Sequence, residues 1–274
     1  MLLTINILNV LMPCIYLLLF LIYSYDFYTN KKDYAFAKRL LLIASVSVHF
    51  IFIILRTYEF SHAPITNKFE LFSSIAFTIT LAYFLVEIVT NVRSTGFFII
   101  FIALVFQLTS SIFVYNQYIV KDVLRNPLLG IHVISALLGH SSLTLSAVYG
   151  ILFLILYKKI KTHNYGNIFN KLPNLEMLEK MSFYSVVIGY IILTFSIIIG
   201  GIWLPIAFPD FKHYDPKLLS SILIWLVYTC GIAVKILFKW YGRKVVYFSL
   251  IGFVVLIISM LIPIVFSSSF HNFR

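Results

Sequence analysis

The sequence predicts an all-α integral membrane protein: a polytopic bundle of about eight transmembrane helices forming one domain over residues 1–274. Three observations carry this. The 274 residues are 61% hydrophobic and only 11% charged, with a mean hydropathy of +0.98, whereas soluble domains carry about 25% charged residues. Apolar runs long enough to span a bilayer, about 20 residues each, recur eight times. The 21 Lys and Arg residues fall mainly in the short links between those runs. There they act as topology signals, so the net charge of +11 points to membrane orientation and not to a nucleic-acid partner.

The first run, Leu3–Tyr25, has almost no basic residue before it and no small-residue cleavage site after it. It reads as a retained helix and not as a signal peptide. Ala37–Leu55 follows, with His49 inside it. Phe69–Thr90 carries Glu87 near its end, within reach of Arg93 or another basic residue. Gly96–Tyr115 carries no charged residue. Gly130–Tyr157 has His132 at its start and His140 eight residues later, so the two share roughly one helical face. The longest link, Lys158–Lys180, contains LPNLEMLEKM. This segment predicts a short amphipathic helix on the membrane surface, with a plain basic linker as the other reading. Ser182–Leu204, Leu218–Phe238 and Val245–Phe266 complete the set. No link is long enough to fold as a soluble domain.

Counting Lys and Arg by side gives 14 against 7 when both termini are placed outside. The expected location is the cell membrane, with multiple passes. Gly200–Lys217, GGIWLPIAFPDFKHYDPK, then becomes an outer-surface loop in which aromatics, prolines, two acids, a histidine and two lysines interrupt the apolar pattern. Asp215 is placed to cap the helix that Pro216 begins.

Chemistry-bearing residues are few. Cys14 and Cys230 lie in apolar runs, and no CxxC or CxxCH motif occurs. There is no Ser/His/Asp arrangement, Walker loop or HExxH, so no enzyme is expected. Four histidines, His62, His132, His213 and His271, fall at or near the outer face in this topology. Two neutral imidazoles at helix ends on one face, His132 and His271, can ligate a haem iron from both sides. Arg125, Lys212 or Lys217 would pair with the propionates. Interfacial histidines bonded to headgroups and water fit the same spacing. For His49 and His140, inside spanning runs, the readings are a deeper ligand position or an interhelical hydrogen bond.

Four passages resemble the cytochrome c assembly proteins, and more narrowly the HemX-type branch of that family. They are ILRTYEFSHAPITNKFEL at 53–71, IHVISALLGHSSL at 131–143, GGIWLPIAFPDFKHYDPKLLSSILIWLVY at 200–228, and GRKVVYFSLIGFVVLI through SSSFHNF at 242–273. The hallmark of the family is an outward tryptophan-rich loop ending in WDPK. The resemblance implies that His132 and His271 flank a non-covalent haem. Trp203, Phe208, Phe211, Tyr214 and Asp215 would supply cover and loop structure, and Lys212 or Arg125 a charge. Trp203, Asp215, Pro216 and Lys217 match the pattern, while Phe208, Lys212 and Tyr214 stand where it has tryptophans. The membrane-embedded haem-ligating histidine of the ligase branch would fall near Ala233, and no histidine is there. A HemX-type protein is expected to limit the abundance of glutamyl-tRNA reductase in haem biosynthesis. The alternative is a haem delivery or export subunit for c-type cytochrome assembly, partnered by another membrane protein of that pathway. A small-molecule transporter is disfavoured by scarce intramembrane charge and by the lack of paired Gly/Pro-interrupted helices.

Overall fold

The computed structural model describes residues 1–29, 35–163, 166–207 and 216–265, and these form an all-α polytopic membrane bundle. In chain order the helices are α1 (Leu2–Thr29), α2 (Ala35–Phe60), α3 (Lys68–Thr90), α4 (Gly96–Ile112), α5 (Pro127–Lys161), α6 (Asn167–Lys171), α7 (Leu175–Ala207), α8 (Pro216–Leu237) and α9 (Arg243–Val265). A 3-10 turn, Asp122–Arg125, precedes α5. Among the described residues, α1, α2, α3, α5, α7 and α8 are long and apolar enough to span a bilayer; α4 is apolar but has 17 residues.

The starts and stops follow local chemistry. Asn67 caps α3, its side chain accepting from the Glu70 N–H, and Asn91 ends α3 in the left-handed region at φ 53. Asn126 caps α5 through the Leu128 N–H, with Pro127 at the first helical position, where a missing donor costs nothing. The last turn of α5 carries Lys158, Lys159 and Lys161, which suit the negative end of the helix dipole.

Two sequence expectations change here. Residues 175–181 are not a separate surface helix: they are the first two turns of α7, and only the five-residue α6 lies in that link. Leu178 and Met181 are fully buried, and burying them in the core fixes this segment as part of the spanning helix. Residues 200–207 are likewise not loop. They continue α7, with Pro205 in its last turns, and residues 208–215 lie outside the described set.

α3 and α5 are the central helices. Of their apolar spans, 61% and 50% are buried, against 28% for α1 and 17% for α8. α5 packs most extensively on α7 and also meets α3 and α9, while α3 packs on α4. The α5–α7 crossing is close because glycines face each other. A Cβ on Gly189 would lie 2.9 Å from the Gly139 carbonyl oxygen, so side chains larger than glycine would force the helices apart.

Polar groups in the interior are tied between helices, as hydrocarbon demands. Ser73 of α3 donates to Gln107 Oε1 of α4 at 3.4 Å, so its oxygen is left to accept from His49 Nε2–H of α2 at 3.0 Å. His49 Nδ1 then accepts from the Tyr16 hydroxyl of α1 at 2.8 Å. One chain of bonds therefore joins four helices, and the interhelical reading of His49 holds. Ser146, Ser182 and Ser249 join α5, α7 and α9 in the same way.

Contacts at each end of the bundle fix which links lie together. At one end Arg56 donates to Asn116 Oδ1 at 3.1 Å and His62 meets the Gln117 carbonyl at 2.9 Å. At the other, Arg93 and Tyr23 both bond Glu87, at 3.2 and 2.8 Å, and Lys171 donates to the Tyr28 carbonyl at 3.0 Å. The Glu87–Arg93 pairing expected from spacing is present. The first is the charge-poor end of the sequence count and the second the charge-rich end.

Candidate functional site

The candidate site lies at the charge-poor end, where the first turns of α5 meet the last turns of α7. His132, in the second turn of α5, points at α7. Its Nδ1 lies 2.9 Å from the Ser196 carbonyl oxygen, and Ser196 Oγ donates to the His132 carbonyl at 2.9 Å. A carbonyl only accepts, so Nδ1 carries the proton and Nε2 the lone pair. Holding one ring nitrogen on a backbone carbonyl is the usual way of orienting a ligating imidazole. One turn further along α7, Gly200 lets the ring lie against the helix backbone. His132 remains half-buried. These features fit a haem axial ligand.

Trp203, three residues beyond Gly200, is 2% exposed and packs with Leu129, Val123, Leu124 and Val133. It docks the end of α7 on the start of α5 and the 3-10 turn. Arg125 is exposed and lines a separate cavity on the α2 side of α5, adjacent in rotation to the face that carries His132. The structure thus brings His132, Ser196, Gly200 and Trp203 together at one helix junction. His271, Phe208, Phe211, Lys212, His213, Tyr214 and Asp215 lie outside the described residues.

The other histidines separate by their bonds. Both nitrogens of His62 face backbone carbonyls, Ala63 at 2.9 Å and Gln117 at 2.9 Å, and the side chain is buried. It fastens the turn after α2 to the link between α4 and α5, with both ring nitrogens turned to the backbone. His140 Nδ1 donates to Ala136 of its own helix at 2.6 Å.

Two features lay hidden in the sequence. Ser196 and Gly200 stand four apart on α7, one turn on one face, but nothing in an apolar run marks them as the partners of His132. Arg56 and Glu70, both within the passage 53–71, form a buried ion pair at 2.9 Å. Arg56 is enclosed by the rings of Phe52, Phe60 and Phe69, at 5.8, 4.7 and 4.7 Å. Glu70 Oε2 also accepts from the Thr66 N–H and hydroxyl, at 3.0 and 2.7 Å.

Fold and site together define a multi-pass membrane protein with an oriented imidazole at one end of its bundle. The family model described as cytochrome C assembly protein matches residues 40–271, and the chain belongs to that family. It is 24% identical over 225 residues to cytochrome c biogenesis protein CcsA of Mesostigma viride, covering 73% of this chain and 74% of the relative. To CcsA of Prochlorococcus marinus (strain MIT 9301) it is 25% identical over 256 residues, covering 84% and 82%. To Protein HemX of Bacillus subtilis (strain 168) it is 27% identical over 136 residues, about half of each chain.

Proposed function

We propose that this chain is a haem-handling subunit of c-type cytochrome assembly, receiving or presenting haem at the charge-poor end of the bundle. The observation that carries the reading is the His132–Ser196 bond, which fixes the tautomer with Nε2 as the basic nitrogen. Similarity to relatives named CcsA over about three quarters of the chain or more supports the pathway. His132 and His271 are the axial pair in this proposal, and two neutral imidazoles give a low-spin, six-coordinate iron. Phe208, Phe211 and Tyr214 supply apolar cover and Lys212 a partner for a propionate. The role is one of assembly and not of catalysis, with a second membrane protein of the pathway as partner.

A second reading has its own support. Similarity to Protein HemX over half the chain, together with the absence of a histidine near Ala233 in α8, favours a regulator that lowers glutamyl-tRNA reductase abundance. Deleting the gene separates the two. Loss of mature c-type cytochromes with an unchanged reductase level supports assembly; a raised reductase level with an unchanged transcript and intact cytochromes supports regulation.

A further inference from the structure

The passage 53–71 has a second use besides its buried ion pair. With the first turns of α5 it walls a cavity of about 630 Å³ that is almost wholly apolar. Ile53 of α2, Ile134 and Leu138 of α5, and Ile192 of α7 line it, and Arg125 and Asn126 stand among its polar lining residues. α2 packs chiefly on α1 and α3, which leaves this gap between α2 and α5 within the bilayer. Arg125 is exposed and has no ion pair among the described residues.

We infer that this cavity is a binding site for an anionic phospholipid, with one acyl chain between α2 and α5 and the phosphate on Arg125. The inference gives Arg125 to a lipid phosphate instead of a haem propionate and leaves the proposed iron ligand untouched, because His132 faces α7 and does not line the cavity. The exposed wall of the cavity is mostly apolar, so hydrocarbon finds more contacts there than water finds partners. Hydrocarbon alone cannot select, because lipid tails are as apolar as the walls whether bound or free. Selection therefore rests on the headgroup, and a guanidinium matches a phosphate with two parallel hydrogen bonds. One such cation near the membrane surface corresponds to a preference of about fivefold for anionic over zwitterionic lipid.

The test uses the full chain in nanodiscs of equal phosphatidylglycerol and phosphatidylcholine, with retained lipid counted by native mass spectrometry. Wild type is expected to retain phosphatidylglycerol about fivefold over phosphatidylcholine. Arg125→Gln, an exposed change that leaves the core untouched, should keep a bound lipid and lose the preference. Ile134→Trp should obstruct the acyl-chain path between α2 and α5 and lower lipid retention while Arg125 remains, which separates a built site from general attraction to an anionic surface. Preference unchanged in Arg125→Gln, or lipid unchanged in Ile134→Trp, overturns the proposal. So does an Ile134→Trp variant that keeps its lipid but no longer takes up added haem, which would assign the cavity to the porphyrin.

Discussion

Gly200 of α7 lies directly against the imidazole of His132 on α5: a Cβ at residue 200 would fall 2.7 Å from Cε1 and 2.9 Å from Nδ1. Real side chains do not approach that closely, so any larger residue must move the ring. The bond from Nδ1 to the Ser196 carbonyl orients the ring, and moving it breaks the orientation that makes Nε2 a ligand.

Gly200→Val should therefore lower bound haem several-fold without unfolding the bundle, with Gly200→Ala between it and wild type. Ser196→Ala keeps the backbone carbonyl that accepts from Nδ1 and should bind nearly normally. Haem content after purification in mild detergent, read as the pyridine haemochrome, checks all three. Equal haem in Gly200→Val and wild type would remove His132 from the site.

The axial pair is tested by spectra. Wild type with added haem should show a low-spin, six-coordinate centre, His132→Ala and His271→Ala five-coordinate or weakly held haem, and the double variant little. Identical spectra in all four proteins, or no uptake by wild type, would show the pair to be wrong. His213 would then be the next ligand to examine.

Breaking the Arg56–Glu70 pair leaves a charge buried without its partner. Glu70→Ala should destabilise the protein by about 3–5 kcal/mol, whereas replacing both residues by Met should recover much of the loss. Unfolding in mixed detergent micelles measures both. A neutral Glu70→Ala would show that Arg56 does not need Glu70 as its buried counter-charge.

Orientation follows from the charge count, 14 Lys and Arg against 7, which predicts the charge-rich end in the cytoplasm. Single cysteines at Thr162 and Lys212, in a background lacking Cys14 and Cys230, should react with an impermeant reagent in intact cells only at 212. Labelling at 162 alone would invert the topology.

The sequence by itself determined the apolar helices, six of them long enough among the described residues to span a bilayer, because transfer into hydrocarbon is a sum over residues near in sequence and needs no partner to be known. It also put Glu87 within reach of Arg93, six residues apart, and offered an interhelical bond as one of two readings of His49, since a buried imidazole in hydrocarbon needs a partner. His132 stood out because it begins a helix at a membrane surface. Only the tertiary structure decided what surrounds it. Ser196 and Gly200 are more than sixty residues away, and which face of α7 meets α5 depends on the close crossing at Gly139 and Gly189. The same packing carried α7 through residues 200–207 and buried Trp203 against Leu129, where the composition of the stretch had suggested an exposed loop. It placed Arg125 on the cavity beside α2 and closed Arg56 on Glu70. Hydropathy records how much of a helix is apolar; the rotation of that helix against its neighbours is set by side-chain shape at the crossing, and shape acts only once the helices are in contact.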